Sequence, residues 1–162
     1  MSEKFKKKQE PYRLKQGKEF HKKIQSNWEK QAEGDVQIEK PIKKPSGRSG
    51  RIDIHVVAED DLVAVVEIKA SDWDCMSESA IRKNVRRQAL QIWNYIESQL
   101  INNISVSPGV IFPHLPKNHE RIKLIEELFE KEGIPVVWED ESIEDCKNRH
   151  KGLSPNKHKQ SK

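Results

Sequence analysis

Residues 51–70, RIDIHVVAEDDLVAVVEIKA, form two β-branched runs separated by an acidic turn. Both runs, 51–59 and 62–70, have the composition and alternation of β-strands. Their apolar faces are formed by Ile52, Ile54, Val56 and Ala58 in the first and by Leu62, Ala64, Val66, Ile68 and Ala70 in the second. Matching these faces places Ala58 opposite Leu62 across the turn Glu59-Asp60-Asp61. The stretch therefore predicts a hairpin in one defined register.

That register also brings charged residues together. Asp53 lies opposite Glu67, and the strand period of two puts Lys69 on the same face as Glu67. Paired carboxylates suit a hard cation such as Mg²⁺, with Mn²⁺ as a substitute. The metal would stabilise charge on a phosphate, while Lys69 could orient the attacking water, neutralise developing charge or act as a base. The alternative is a solvated face with a cross-strand ion pair.

The rest of the chain alternates helical and strand patterns. We predict a helix over 17–32, an edge strand near 36–42, the hairpin, a long helix from Ser77 to about Leu100, a strand over 106–112 interrupted at Pro108-Gly109, a helix over 118–132 and a strand over 134–138. The long helix would be a right-handed crossover between parallel strands. The predicted fold class is α/β, a central mixed sheet flanked by helices.

Length, composition and charge predict one domain with polar ends. The 162 residues and 18.9 kDa suit a single domain over 17–140, between a flexible basic arm (1–16) and a polar, basic tail (141–162). The formal charge of +4 is concentrated in 1–30 and 147–162, where cationic arms could bind nucleic acid or only solubilise the protein. Two cysteines without zinc spacing, no secretory h-region and no apolar run of roughly 18 residues predict a soluble, cytoplasmic protein without membrane partners.

The stretch SGRSGRIDIHVVAEDDLVAVVEIKAS (46–71) resembles the core of the PD-(D/E)xK nuclease superfamily. Asp53 stands at the motif's Asp and Glu67-Ile68-Lys69 at its ExK, and the order of elements extends the resemblance over roughly 17–140. It implies a restriction endonuclease-like α-β-β-β-α-β core and metal-dependent phosphodiester hydrolysis. Asp53, Glu67 and the carbonyl of Ile68 would be metal ligands, and Lys69 would lie beside the attacking water. Ile52 replaces the motif's proline, a position that varies within the superfamily.

Further residues are candidates through the same resemblance. Many members carry a first-helix glutamate near the metal, and Glu19 is the candidate here, with Glu29 as an alternative. Gln91-Ile-Trp-Asn-Tyr95 resembles the QxxxY helix motif of RecB-like members, so Gln91 and Tyr95, together with Gln88, could orient Lys69 or contact the substrate backbone.

Four more side chains allow two readings each. Arg82 and Arg86, in the first half of the long helix, could bind phosphate or form a solvated face. His55, on the strand face of Asp53, could contact substrate or be a surface strand histidine. Trp73, just past Lys69, could border a substrate cleft or cover the sheet.

These patterns lead to a functional hypothesis. We expect an endo- or exonuclease whose partner is nucleic acid, DNA before RNA, with a homodimer or a partner protein left open. The runner-up is an inactive module on the same fold that binds nucleic acid or another protein. An intact Asp, Glu and Lys set favours the enzyme, since a chain that had lost catalysis would be free to lose one of them.

Overall fold

A computed structural model of the chain describes residues 12–58, 62–100 and 105–151. The elements in these ranges are α1 (Tyr12–Gln31), β1 (Asp35–Lys43), β2 (Ser49–Val57), β3 (Leu62–Ile68), a short 3₁₀ turn (Trp73–Cys75), α2 (Glu78–Gln99), β4 (Ser105–Phe112), α3 (His119–Lys131), β5 (Val136–Trp138) and α4 (Ile143–Lys151). Two predicted helix starts are confirmed, since the side chains of Ser77 and Asn118 cap α2 and α3.

The five strands form one mixed sheet in the order β1-β2-β3-β4-β5. The first three strands are antiparallel neighbours, and β3, β4 and β5 are parallel. Parallel neighbours require a crossover, and α2 and α3 supply the two crossovers needed. The predicted α/β class is therefore confirmed, and the element order is compatible with a restriction endonuclease-like core.

The predicted register of the β2–β3 hairpin is confirmed. Ile54 pairs with Val66 and Val56 with Ala64. At the far end, the Ala58 N–H donates to the Leu62 carbonyl at 2.9 Å. The turn residues 59–61 lie outside the described residues. Continuing the observed register by one residue places Asp53 opposite Glu67, as the apolar alternation predicts.

Helices cover both faces of the sheet, and each face has its own apolar core. The α1 face contains Ile24, Ile54, Val56, Val66, Ile68 and Ile111. The larger core on the α2 and α3 face includes Val63, Val65, Ile92, Phe112, Phe129 and Trp138. Both sides of β3 are thus buried, which is the usual environment of a parallel strand between crossover helices.

One predicted face is wrong, because Ile52 does not share the core of Ile54 and Val56. It packs in the α2 and α3 core instead. The neighbouring strand changes sides too: Ile38 packs on the α1 side and Ile42 on the other. Glu39, between them, has a φ of 53° and stands across from Asp53 in the β1–β2 pairing. A non-glycine residue in this conformation interrupts the regular alternation of a strand.

The predicted interruption of β4 at Pro108-Gly109 is also wrong. The strand pairs with β3 without a break through both residues. Proline removes a backbone donor, but β5 pairs with β4 only from Val110 to Phe112. Pro108 therefore lies where β4 is the edge of the sheet, a position that tolerates proline.

Both ends of the folded region extend beyond the predicted 17–140 domain. Helix α1 begins at Tyr12 rather than Gly17, and α4 was not predicted. Because α4 contains no buried residue, it has no apolar stripe for periodicity to detect. Ion pairs hold it instead: Arg149 lies 2.7 Å from Glu126 and 2.8 Å from Glu141. Of the predicted arm (1–16) and tail (141–162), residues 1–11 and 152–162 are outside the described residues.

We expect Arg149→Met to destabilise the protein. The Glu141 side chain is only 5% exposed and that of Glu126 18%, so removing their shared cation leaves two partly desolvated carboxylates together. Breaking such a pair costs about 3 kcal/mol. Urea denaturation would measure the loss. The control is Arg82→Met, which removes an exposed pair with Glu78 and should cost less than about 1 kcal/mol. Equal costs for the two variants would contradict the role given to Arg149.

Candidate active site

Two carboxylates lie where β2 and β3 separate. Backbone pairing between these strands ends at Ile54 and Val66. Beyond that point, the Asp53 N–H donates to Glu67 Oε1 at 3.3 Å, and the Ile68 N–H donates to Asp53 Oδ2 at 2.8 Å. Each carboxylate is therefore held by the backbone of the other strand. The structure brings together the two acidic residues that the hairpin register pairs.

Burial makes this pair of carboxylates costly to ionise. The Glu67 residue is 1% exposed, and burial together with the Asp53 charge raises the pKa of Glu67 to about 8. Burial likewise raises the pKa of Asp53, against the hydrogen bond from Ile68 and the charge of His21. Two like charges in a poorly solvated site favour the uptake of a proton or a cation. The site therefore has the electrostatics of a cation-binding centre.

Lys69 reaches the same site from the end of β3. Its Nζ lies 3.5 Å from Glu67 Oε2 and donates to Gln91 Oε1 at 2.8 Å. Gln91 in turn donates through Nε2 to the Tyr95 hydroxyl at 2.9 Å. One face of α2 thus holds the ammonium in place through a glutamine and a buried tyrosine. The structure brings Gln91 and Tyr95 together with Lys69, in the arrangement that orients a lysine.

Helix α1 contributes two groups that sequence analysis did not select. His21 Nδ1 lies 4.0 Å from Asp53 Oδ1. One turn later, Gln25 donates to Glu39 Oε1 at 2.9 Å and to the Asp53 carbonyl at 3.2 Å. The spacing of four on one helix face connects His21 and Gln25. Glu39 can be connected to Asp53 only through the β1–β2 register, which the sequence alone does not establish.

The donor atoms fit a hard divalent cation. His21, Glu39 and Asp53 each offer one ligand atom, and these atoms lie within 4.8 Å of one another. Glu67 adds a further carboxylate, which is buried, and the Ile68 backbone lies at the site because its N–H contacts Asp53. Carboxylate oxygens suit Mg²⁺, and Mn²⁺ also accepts an imidazole ligand. These residues could therefore hold such an ion.

The structure does not bring Glu19 to this centre. Glu19 precedes His21 by two residues, which is about 200° around the helix, so the two side chains leave α1 in different directions. Glu19 is exposed and lines a cleft of about 800 Å³ between α1 and the segments after β3, β4 and β5. Glu29 is exposed near the other end of α1. His21, and not Glu19, is the α1 side chain that lies 4.0 Å from Asp53.

Three other candidates on α2 have surroundings of their own. Gln88 is 5% exposed and donates to Ser71 Oγ at 3.0 Å, which ties α2 to the loop after β3. Arg82 is exposed and pairs with Glu78 at 2.9 Å. Arg86 is exposed on the same helix. None of the three hydrogen-bonds to Lys69 in the part of the chain that the structure describes.

The two ambiguous side chains both lie in the interior. His55 is 2% exposed, so its predicted alternative as a surface histidine is wrong; its Nε2 lies 3.2 Å from Lys40 Nζ. Trp73 is buried and packs edge-on against Phe112, with ring centres 5.1 Å apart. Trp73 thus covers the sheet, which was one of its two predicted roles.

Comparison with known families and proteins adds no identification. No family model matches the chain, and no curated protein matches it. Among the helices that the structure describes, none is long and apolar enough to cross a membrane.

Proposed function

We propose that the protein is a metal-dependent nuclease of the PD-(D/E)xK type that hydrolyses phosphodiester bonds in nucleic acid, DNA in preference to RNA. One observation carries the proposal: half-buried Asp53 and buried Glu67 lie between separating strands, and Lys69 contacts Glu67 at 3.5 Å. A cross-strand ion pair on a solvated face would not be buried in this way. The two cysteines are free thiols, in keeping with a reducing cytoplasm.

Each residue has a defined part in this proposal. Asp53, Glu67 and the carbonyl of Ile68 hold Mg²⁺ or Mn²⁺, with His21 and Glu39 within reach of the same position. The ion, when bound, supplies charge stabilisation at the phosphate and activates water. Lys69 has three N–H donors, of which Glu67 and Gln91 engage two. The third can donate to the attacking water or to a phosphate oxygen.

A cleavage assay tests the proposal. Purified protein is incubated with linear, circular, branched and single-stranded DNA, and with RNA, in Mg²⁺, in Mn²⁺ or in EDTA. We expect cleavage of DNA with either metal and none in EDTA. Asp53→Asn, prepared in parallel, controls for contaminating nucleases and should not cleave. If the protein binds nucleic acid but cleaves it in none of these conditions, the nuclease proposal fails and the protein is a nucleic-acid-binding module.

Gln91 is a positioning residue in this mechanism, because it acts through Lys69. We expect Gln91→Ala to lower kcat by up to about 10²-fold with little change in KM, the scale of a misplaced catalytic group. The pH dependence of kcat should change as well, since the surroundings of the ammonium differ. Gln91→Glu keeps an acceptor for Lys69 and should retain more activity. Asn84→Ala, on the same helix but bonded to Ala80 and Met76, is the control. An equal loss in both alanine variants would indicate a purely structural effect.

A further inference from the structure

Every charged residue in the segment that connects β1 and β2 is basic. Residues 40–51, KPIKKPSGRSGR, contain five Lys or Arg residues and no Asp or Glu. Two arginines elsewhere in the described chain have structural partners instead: Arg121 donates to the carbonyls of Trp73 and Met76, and Arg149 pairs with Glu126 and Glu141. Positive charge without compensating carboxylates is typical of a surface that meets phosphate.

Four cations of this connection have no carboxylate partner among the described residues. Lys43, Arg48 and Arg51 are exposed, and Lys44 is half-buried. Within residues 12–58, 62–100 and 105–151, none of these four lies within 4.0 Å of a carboxylate oxygen. Their charges are therefore available to an anionic partner from outside the chain.

The hairpin that presents these charges is well ordered by its own sequence. Lys43 pairs with Ser49, and the Lys44 N–H donates to the Arg48 carbonyl at 2.8 Å. The Gly47 N–H donates to the Lys44 carbonyl at 2.8 Å, and Gly47 has a φ of 83°. Pro45 after Lys44 and a glycine in the left-handed region are the residues that a three-residue hairpin loop requires. The cations thus have a fixed backbone.

The same hairpin lies against the candidate active site. A Cβ atom on Gly50 would stand 3.0 Å from Tyr95 Cε1, so β2 packs directly on the ring that ends the Lys69–Gln91–Tyr95 chain. Lys44 Nζ lies 5.5 Å from the centre of that ring. Strand β2 then continues to Asp53, and Ser49 is about 13 Å away along it at the usual rise per residue.

We propose that the β1–β2 hairpin, residues 43–51, is a phosphate-binding arm that holds the sugar–phosphate backbone of the nucleic acid beside the phosphate to be cleaved. Lys43, Arg48 and Arg51 contact phosphates of the bound strand. The phosphates held near Ser49 lie about four nucleotides from the phosphate to be cleaved, since Ser49 is about 13 Å from Asp53 and one duplex strand rises about 3.4 Å per nucleotide. This proposal deepens the nuclease proposal and rests on it for the identity of the substrate.

The test measures binding separately from cleavage. Fluorescence anisotropy with a labelled DNA duplex, in EDTA and over a series of salt concentrations, compares the wild type with the double variant Lys43→Gln/Arg48→Gln. Each lost phosphate contact flattens the plot of log K against log salt by about 0.9, so we expect the slope to fall by about 2 and the affinity at low salt by about tenfold or more. Lys43→Arg/Arg48→Lys keeps both charges and should restore binding, which excludes misfolding as the cause.

The control variant loses two positive charges, as the hairpin variant does, but on another part of the surface. Lys131→Gln/Lys147→Gln changes exposed residues on α3 and α4, at the β5 end of the sheet, and should leave the slope nearly unchanged. A hairpin variant that binds like the wild type would overturn the arm, as would an equal loss in the control. If the wild type never cleaves but the hairpin variant loses binding, the nuclease proposal fails and the arm stands. If cleavage depends on Asp53 but the hairpin variant has the salt slope of the wild type, the arm fails and the nuclease proposal stands.

Discussion

Lys69→Ala is expected to bind Mg²⁺ and to cleave at least about 10²-fold more slowly than the wild type, the scale of losing a positioned acid–base or electrostatic group. Both carboxylates remain in this variant, so the metal ligands are unchanged. The loss arises because the ammonium, held 2.8 Å from Gln91 Oε1, no longer donates to the water or the phosphate. Calorimetric titration with Mg²⁺ and single-turnover cleavage would measure the two effects separately.

Substitution of either carboxylate should cause a different defect from substitution of Lys69. Asp53→Asn and Glu67→Gln preserve size while removing a ligand charge, so we expect weak Mg²⁺ binding and no cleavage. Lys131→Ala, an exposed residue at the end of α3, controls for the loss of one positive charge and should cleave normally. The nuclease proposal is falsified if Asp53→Asn, Glu67→Gln and Lys69→Ala all cleave at the wild-type rate. The activity would then belong to another site or to a contaminant.

The second large effect concerns stability without metal. The pKa of Glu67 is about 8 in the folded protein against an ordinary 4.5, so between these values the folded state retains a proton that the unfolded state has lost. Stability falls with rising pH wherever the unfolded state binds fewer protons. We therefore expect the free energy of unfolding in EDTA to fall as pH rises from about 5 to about 9, by up to about 5 kcal/mol from this shift.

Urea denaturation in EDTA across this pH range would measure the effect. Glu67→Gln, which cannot ionise, should lose most of the slope and exceed the wild type in stability at high pH. Mg²⁺ should restore the stability of the wild type at high pH, because the cation takes the place of the proton. Glu127→Gln removes an exposed carboxylate on α3 and is the control. A wild-type stability that is flat or rises with pH in EDTA would contradict the buried, repelling pair.

Much of the candidate site could be read from local alternation. The register of β2 and β3 follows from two apolar faces, because a slip of one residue would turn one of them to the wrong side. That argument alone places Asp53 opposite Glu67. Likewise, the caps at Ser77 and Asn118 and the stop at Gly133, whose φ is 71°, are local signals for α2 and α3. Such features depend on neighbours in sequence or on one short hairpin.

Other features depend on how distant elements pack. His21 rather than Glu19 approaches Asp53 because of the rotation of α1 on the sheet, which the helix pattern leaves undetermined within about a residue. Helix α4 is held by the ion pair between Arg149 and Glu126, which lies 23 residues earlier in the chain. It has no buried apolar residues from which its sequence could predict a helix. A charged pair of that kind leaves no periodic signal.

The sequence by itself determined the α/β class, the hairpin register and the convergence of Asp53, Glu67 and Lys69, because each follows from the period of a strand or helix. Only the tertiary structure decided that Glu39 and His21 join Asp53, and that Ile52 crosses to the opposite core. Those outcomes arise from the left-handed backbone at Glu39 and from packing between separate elements. A one-dimensional pattern of apolar residues carries neither.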